Sequence, residues 1–81
     1  MLKVPYNNKA IDLTGEVCPY TFVYTKLNLE EIEPEQILEV LIDYPPAVEN
    51  IPRSVKEQKL GEILSVNKIN DREWKITIKK Y

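Results

Sequence analysis

The run Asp12-Leu13-Thr14-Gly15-Glu16-Val17-Cys18-Pro19-Tyr20-Thr21 decides how this chain folds. A short apolar segment, Ala10 to Leu13, reads as a strand, and Thr14-Gly15 ends it in a turn. An amphipathic segment begins just after Cys18. From Pro19 to about Ile32, the residues Phe22, Leu29 and Ile32 share one helical face, which Val23 and Leu27 extend at i, i+4 spacing. Cys18 fits the N-cap and Pro19 the first helical position, where a missing N–H is no loss. Pro34 closes the helix, because the residue before a proline is pushed out of the α region.

Working outward, Ile37 to Ile42 is short, β-branched and apolar, as expected of a strand covered by helices. Asp43-Tyr44-Pro45-Pro46 breaks it, as a stiff connector or an exposed recognition loop. Ala47 to Lys59 reads as a second helix with Val48, Ile51 and Val55 inward. Pro52 implies either a late helix start or a kink, and Gly61 ends the element as a helix-terminating glycine. Glu62 to Ile69 is a third strand, and Asn70-Asp71-Arg72 a turn. Trp74, Ile76 and Ile78 alternate with Lys75, Thr77 and Lys79 in a fourth. The order βαβαββ predicts an α+β two-layer sandwich, a four-stranded mixed sheet with two helices on one face. Residues 1–81 read as a single domain, with 1–9 as an N-terminal lead.

Composition narrows the function. The chain has 81 residues, 43% of them hydrophobic, and a formal net charge of -2. That balance gives no general attraction to phosphates, so no direct nucleic-acid partner is expected. Lys79-Lys80-Tyr81 is only a minimal basic patch. No stretch resembles a signal peptide or a membrane span, and a cytoplasmic location is expected. Glu30, Glu31 and Glu33 crowd the C-terminal end of the first helix, as a solvated face or as a dock for a basic partner. With no histidine and one cysteine, neither a metal nor any other cofactor is implied.

Cys18 carries the chemistry. A thiol at a helix N-terminus meets unpaired N–H groups and the positive end of the dipole, both of which favour the reactive thiolate. Because Pro19 has no N–H, the donors expected at the sulfur are those of Tyr20 and Thr21. Acyl transfer needs a base, and dithiol exchange needs a resolving cysteine; the chain has neither histidine nor a second cysteine. A single thiolate can still carry sulfur as a persulfide. Two other roles stay open: a regulatory or scaffold domain without sulfur chemistry, and a thiol oxidation sensor.

The run from Asp12 to Pro19, together with Asp43-Tyr44-Pro45 and Ile51-Pro52, resembles the TusA/SirA/YedF-like sulfur carriers from about Ile11 to the C-terminus. The resemblance implies a βαβαββ sandwich with a Cys-Pro-x-Pro motif at the start of the first helix. It implies that Cys18 takes a persulfide sulfur from a donor protein such as a cysteine desulfurase. An acceptor protein would receive that sulfur, toward tRNA thiolation or another sulfur-requiring pathway. Pro19 would shape the helix start, Gly15 the approach turn, and Asp12 would be structural. Thr21 stands where the family motif has its second proline, and its hydroxyl is placed to hydrogen-bond near the sulfur.

Overall fold

The computed structural model describes residues 8–81, so the expected N-terminal lead lies, through Asn7, outside the described residues. Strand β1 spans Lys9–Asp12, helix α1 Tyr20–Glu31, strand β2 Ile37–Ile42, helix α2 Pro45–Glu57, strand β3 Gly61–Lys68 and strand β4 Trp74–Lys80. Lys9 therefore starts β1 rather than ending the lead. The strands form one four-stranded mixed sheet in the order β1-β2-β4-β3. β1 and β2 are parallel, which a crossover through α1 allows, and β4 is antiparallel to both neighbours. No helix among the described residues is long and apolar enough to cross a membrane.

Alternation builds the core. Leu38, Val40 and Ile42 of β2 and Ile76 and Ile78 of β4 are fully buried, with Leu38 opposite Ile78 and Val40 opposite Ile76. Leu29 of α1 and Ala47, Ile51 and Val55 of α2 complete the same cluster. Each large side chain in it contributes about 1.5–3 kcal/mol by leaving water. Glu39, Lys75 and Thr77 alternate to the other face. Trp74 is half-buried against the core, with the Lys68 ammonium 5.6 Å from its ring centroid. Asn70 Oδ1 shapes the last turn by accepting the N–H groups of Arg72 and Glu73, each at 2.9 Å.

Helix α1 turns inward the face that Phe22, Leu29 and Ile32 mark: Leu29 and Ile32 are buried and Phe22 packs against the core. Thr21, Thr25 and Leu29 are buried, whereas Val23 and Leu27, expected inside, are 42% and 49% exposed. Threonine can occupy the inner face because its hydroxyl finds a partner within the helix: Thr25 Oγ1 donates to the Thr21 carbonyl at 2.8 Å. At the far end, Glu31 pairs with Lys9 at 2.9 Å and so ties α1 to β1. The Lys80 ammonium donates to the Ile32 carbonyl at 2.8 Å, satisfying an acceptor left open where the helix stops.

Helix α2 also departs from expectation. It begins at Pro45, with no late start, and runs on past Pro52, which lies inside the helix. Pro45 suits the first turn, where no N–H is required. The helix ends without glycine. Lys59 takes the left-handed conformation at φ 54, with Lys59 N–H bonded to the Lys56 carbonyl and Leu60 N–H to that of Val55. That pair of bonds is a Schellman closure. Gly61, expected to end the helix, is instead the buried first residue of β3. A Cβ there would sit 2.6 Å from the Lys79 carbonyl oxygen.

Candidate functional site

The β1–α1 loop is pinned at three points. Leu13 N–H donates to the Leu41 carbonyl at 2.8 Å. Asp12 Oδ1 accepts the Thr14 hydroxyl at 2.6 Å and the Thr14 N–H at 2.9 Å. Gly15 adopts φ +89, which glycine takes without strain, and its N–H donates to Asp43 Oδ1 at 2.9 Å. Asp43 follows β2, so the loop that leads to the cysteine is fastened to the sheet. Sequence reasoning placed Asp12 and Gly15 at the site but gave Asp43 no part in it.

The Asp12 hydrogen bonds have a pH signature. The Thr14 hydroxyl first, and its N–H second, hold the Asp12 carboxyl below its ordinary value of 3.8. A carboxyl lowered in the folded state stabilises the fold above the unfolded value, and that contribution is lost as pH falls through the lowered value. Thr14→Val should therefore move the Asp12 titration upward in NMR, and the variant's acid unfolding should lose part of its steepness below pH 3.8.

Cys18 lies half-buried where this loop enters α1. Pro19, not Cys18, is the N-cap, and Tyr20 is the first helical residue. The N–H groups of Tyr20 and Thr21, expected to face the sulfur, are taken by the Val17 carbonyl at 2.8 and 3.2 Å. The chain doubles back tightly enough there for its own carbonyl to outcompete the thiol. Side chains meet the sulfur instead. Thr21 Oγ1 lies 3.5 Å from Cys18 Sγ, and Asn50 Nδ2 of α2 donates to it at 3.4 Å. The Arg53 guanidinium donates to Asn50 Oδ1 at 3.4 Å, which orients the amide with its NH2 toward the sulfur.

Asn50 was not legible as a site residue. Its one sequence signal is its place directly before Ile51-Pro52, next to the inward stripe of α2. Among the described residues, no group of three potential metal ligands is found. Tyr20, Val23, Tyr24 and Leu27 on the outer side of α1 are all exposed, as is Val17 in the loop before it. At spacings of three and four they form an apolar stripe that begins beside Cys18. The thiol thus has a polar inner side and an apolar outer margin.

Residues 9–80 match the family model described as Sulfurtransferase TusA. The chain belongs to the TusA family. A relative from Archaeoglobus fulgidus, provisionally named a sulfur carrier protein, is 55% identical over 73 residues, covering 90% of this chain and 82% of its own. A Thermotoga maritima protein of the same provisional name is 50% identical over 72 residues, covering 88% and 89% respectively. The crystal structure of the SirA-like protein from Desulfitobacterium hafniense shares the fold at TM-score 0.75 and 21% identity, covering 86% of this chain and 93% of that one. The resemblance sets Thr21 at the place of a second motif proline. Here Thr21 donates its N–H to Val17, a bond that proline could not make.

Proposed function

We propose that this protein is a sulfur carrier that holds a persulfide on Cys18. The observation that supports this most is the setting of the thiol. It is half-buried on a fastened loop, beside two neutral hydrogen-bonding side chains, with no histidine anywhere in the chain. Such a thiol lacks what acyl transfer needs and has what sulfur relay needs. In loading, the Cys18 thiolate attacks the terminal sulfur of a donor protein's persulfide. The donor S–S bond breaks, its electron pair leaves with the donor thiolate, and a new S–S bond forms at Cys18. In delivery, an acceptor thiolate attacks the same outer sulfur and the Cys18 thiolate departs. Electrons balance in both steps, and no base or external oxidant is consumed.

Both steps bring a second protein to the sulfur. The apolar stripe of α1 is continuous with Cys18 and supplies a surface for the persulfide donor, of which a cysteine desulfurase is the chemical type. Placing a carboxylate at its centre with Val23→Glu or Leu27→Glu should leave the fold intact, since both side chains are exposed. Loading from a desulfurase should slow by about tenfold, the effect of roughly 1.4 kcal/mol lost at an interface. Loading from inorganic polysulfide should not change. Equal slowing from both sulfur sources would remove the stripe from the docking surface.

A further inference from the structure

The sulfur's nearest polar neighbours belong to side chains from two different helices, and the backbone donors of the helix terminus are engaged elsewhere. We propose that Asn50 and Thr21 form a two-point hydrogen-bond cradle that stabilises the negative charge on Cys18 Sγ, with Asn50 as its fixed donor. This deepens the sulfur-carrier reading and rests on it for its purpose, though its test does not depend on that reading.

The geometry separates the two roles. An amide nitrogen can only donate, and Asn50 Nδ2 is 3.4 Å from the sulfur with its Oδ1 held by Arg53. Arg53 is in turn 3.9 Å from Glu49, one turn back on α2. The amide therefore presents N–H to the sulfur in either charge state of the thiol. The Thr21 hydroxyl, at 3.5 Å, can accept from S–H or donate to S⁻. Its buried position on α1 leaves the sulfur as its neighbour across the loop. When an acceptor removes the outer sulfur, charge returns to Sγ, and both groups can donate to it at that moment. Stabilising a departing thiolate speeds exchange, because a better leaving group leaves faster.

The cradle has a kinetic signature that a purely structural contact between helices would lack. A hydrogen bond to a charged group is stronger than one to a neutral group, so removing a donor leaves the sulfur anion less stabilised and less abundant at neutral pH. The thiolate that remains is more nucleophilic, with a Brønsted slope of about 0.4–0.5, and recovers part of that loss. Alkylation by iodoacetamide at pH 7 should thus slow about three- to tenfold in Asn50→Leu, which keeps the size of the side chain and removes its donor without adding a charge. At the alkaline end the order should reverse, because the variant's thiolate is the more nucleophilic of the two. Thr21→Val should show a smaller shift of the same sign, and Thr21→Ser should restore the parent curve.

The experiment is iodoacetamide alkylation of the full chain from pH 6 to 10 for the parent and these three variants, with thermal unfolding in parallel. Crossing pH–rate curves with unchanged unfolding support the cradle. Superimposable curves for the parent and Asn50→Leu overturn it. If Asn50→Leu fails to fold, Asn50→Ala and Thr21→Val carry the same comparison. A protein that shows the crossing yet never loads sulfur would retain the cradle and lose the carrier function.

Discussion

Gly61→Val should destabilise the fold by about 3 kcal/mol or more, and Gly61→Ala by about 1–3 kcal/mol, as overpacking at a rigid contact does. The reason is local. A Cβ at position 61 would lie 2.6 Å from the Lys79 carbonyl oxygen and 2.9 Å from Ile78 Cγ2. The carbonyl belongs to β4, whose ladder pairs Gly61 with Lys80 and Glu62 with Lys79, so it cannot move without disturbing that register. Leu60 N–H and the Schellman closure of α2 fix the approach from the other side. In a domain of this size each kcal/mol moves Tm by about 4–8 °C, so even the alanine variant should be measurable by thermal unfolding. A parent-like Tm for Gly61→Val would mean that β3 enters the sheet by another path.

Gly61 also illustrates where the sequence misleads. A glycine after a helical run reads as a terminator, but close approach to a neighbouring backbone is an equally good reason for glycine, and only the sheet register reveals it. The strand pattern itself was legible. Ile37 to Ile42 is the observed β2 without shift, and the alternation of Ile76 and Ile78 puts both in the core. In those segments a period of two and β-branched side chains agree with the tertiary fold. Helix α1 was legible as a helix, and its expected inner residues Leu29 and Ile32 are buried, but the extension of that face was misleading. Its apolar residues Val23 and Leu27 point outward and threonines point inward, because hydroxyls bonded within the helix are tolerated in the core. Apolar spacing registers every apolar residue as a candidate for burial, including those left for a partner.

The site divides in the same way. Cys18, Gly15 and Asp12 announce themselves as a lone thiol, a turn glycine and a strand-ending acid within one run of chain. Asp43 and Asn50 lie 28 and 32 residues away from the groups they hold, Gly15 and Cys18. Asp43 stands out only within the Asp43-Tyr44-Pro45 run and Asn50 only as the residue before Ile51-Pro52, and neither place points to the sulfur or its loop. The expected backbone donors at the sulfur fail for a local reason too: helix-terminus arguments assume free N–H groups, and Val17 supplies a carbonyl within 3.2 Å of both.

Cys18→Ser should abolish sulfur loading while leaving the protein folded. A serine hydroxyl does not form a persulfide, and position 18 holds the only thiol in the chain. The structural change is small, because Asn50 and Thr21 can hydrogen-bond a hydroxyl where they now meet sulfur. Loss of stability should stay within about 1 kcal/mol, the scale of a partly exposed substitution that leaves no cavity. Loading should fall to background, since removing a covalent nucleophile leaves no alternative route.

The direct test is intact-mass measurement of the parent protein and Cys18→Ser after incubation with a cysteine desulfurase and free cysteine, before and after a reductant. The carrier function predicts a gain of one sulfur atom in the parent, removed by the reductant and absent from Cys18→Ser. No gain in a parent protein whose Cys18 still alkylates, or a gain that persists in Cys18→Ser, would contradict it.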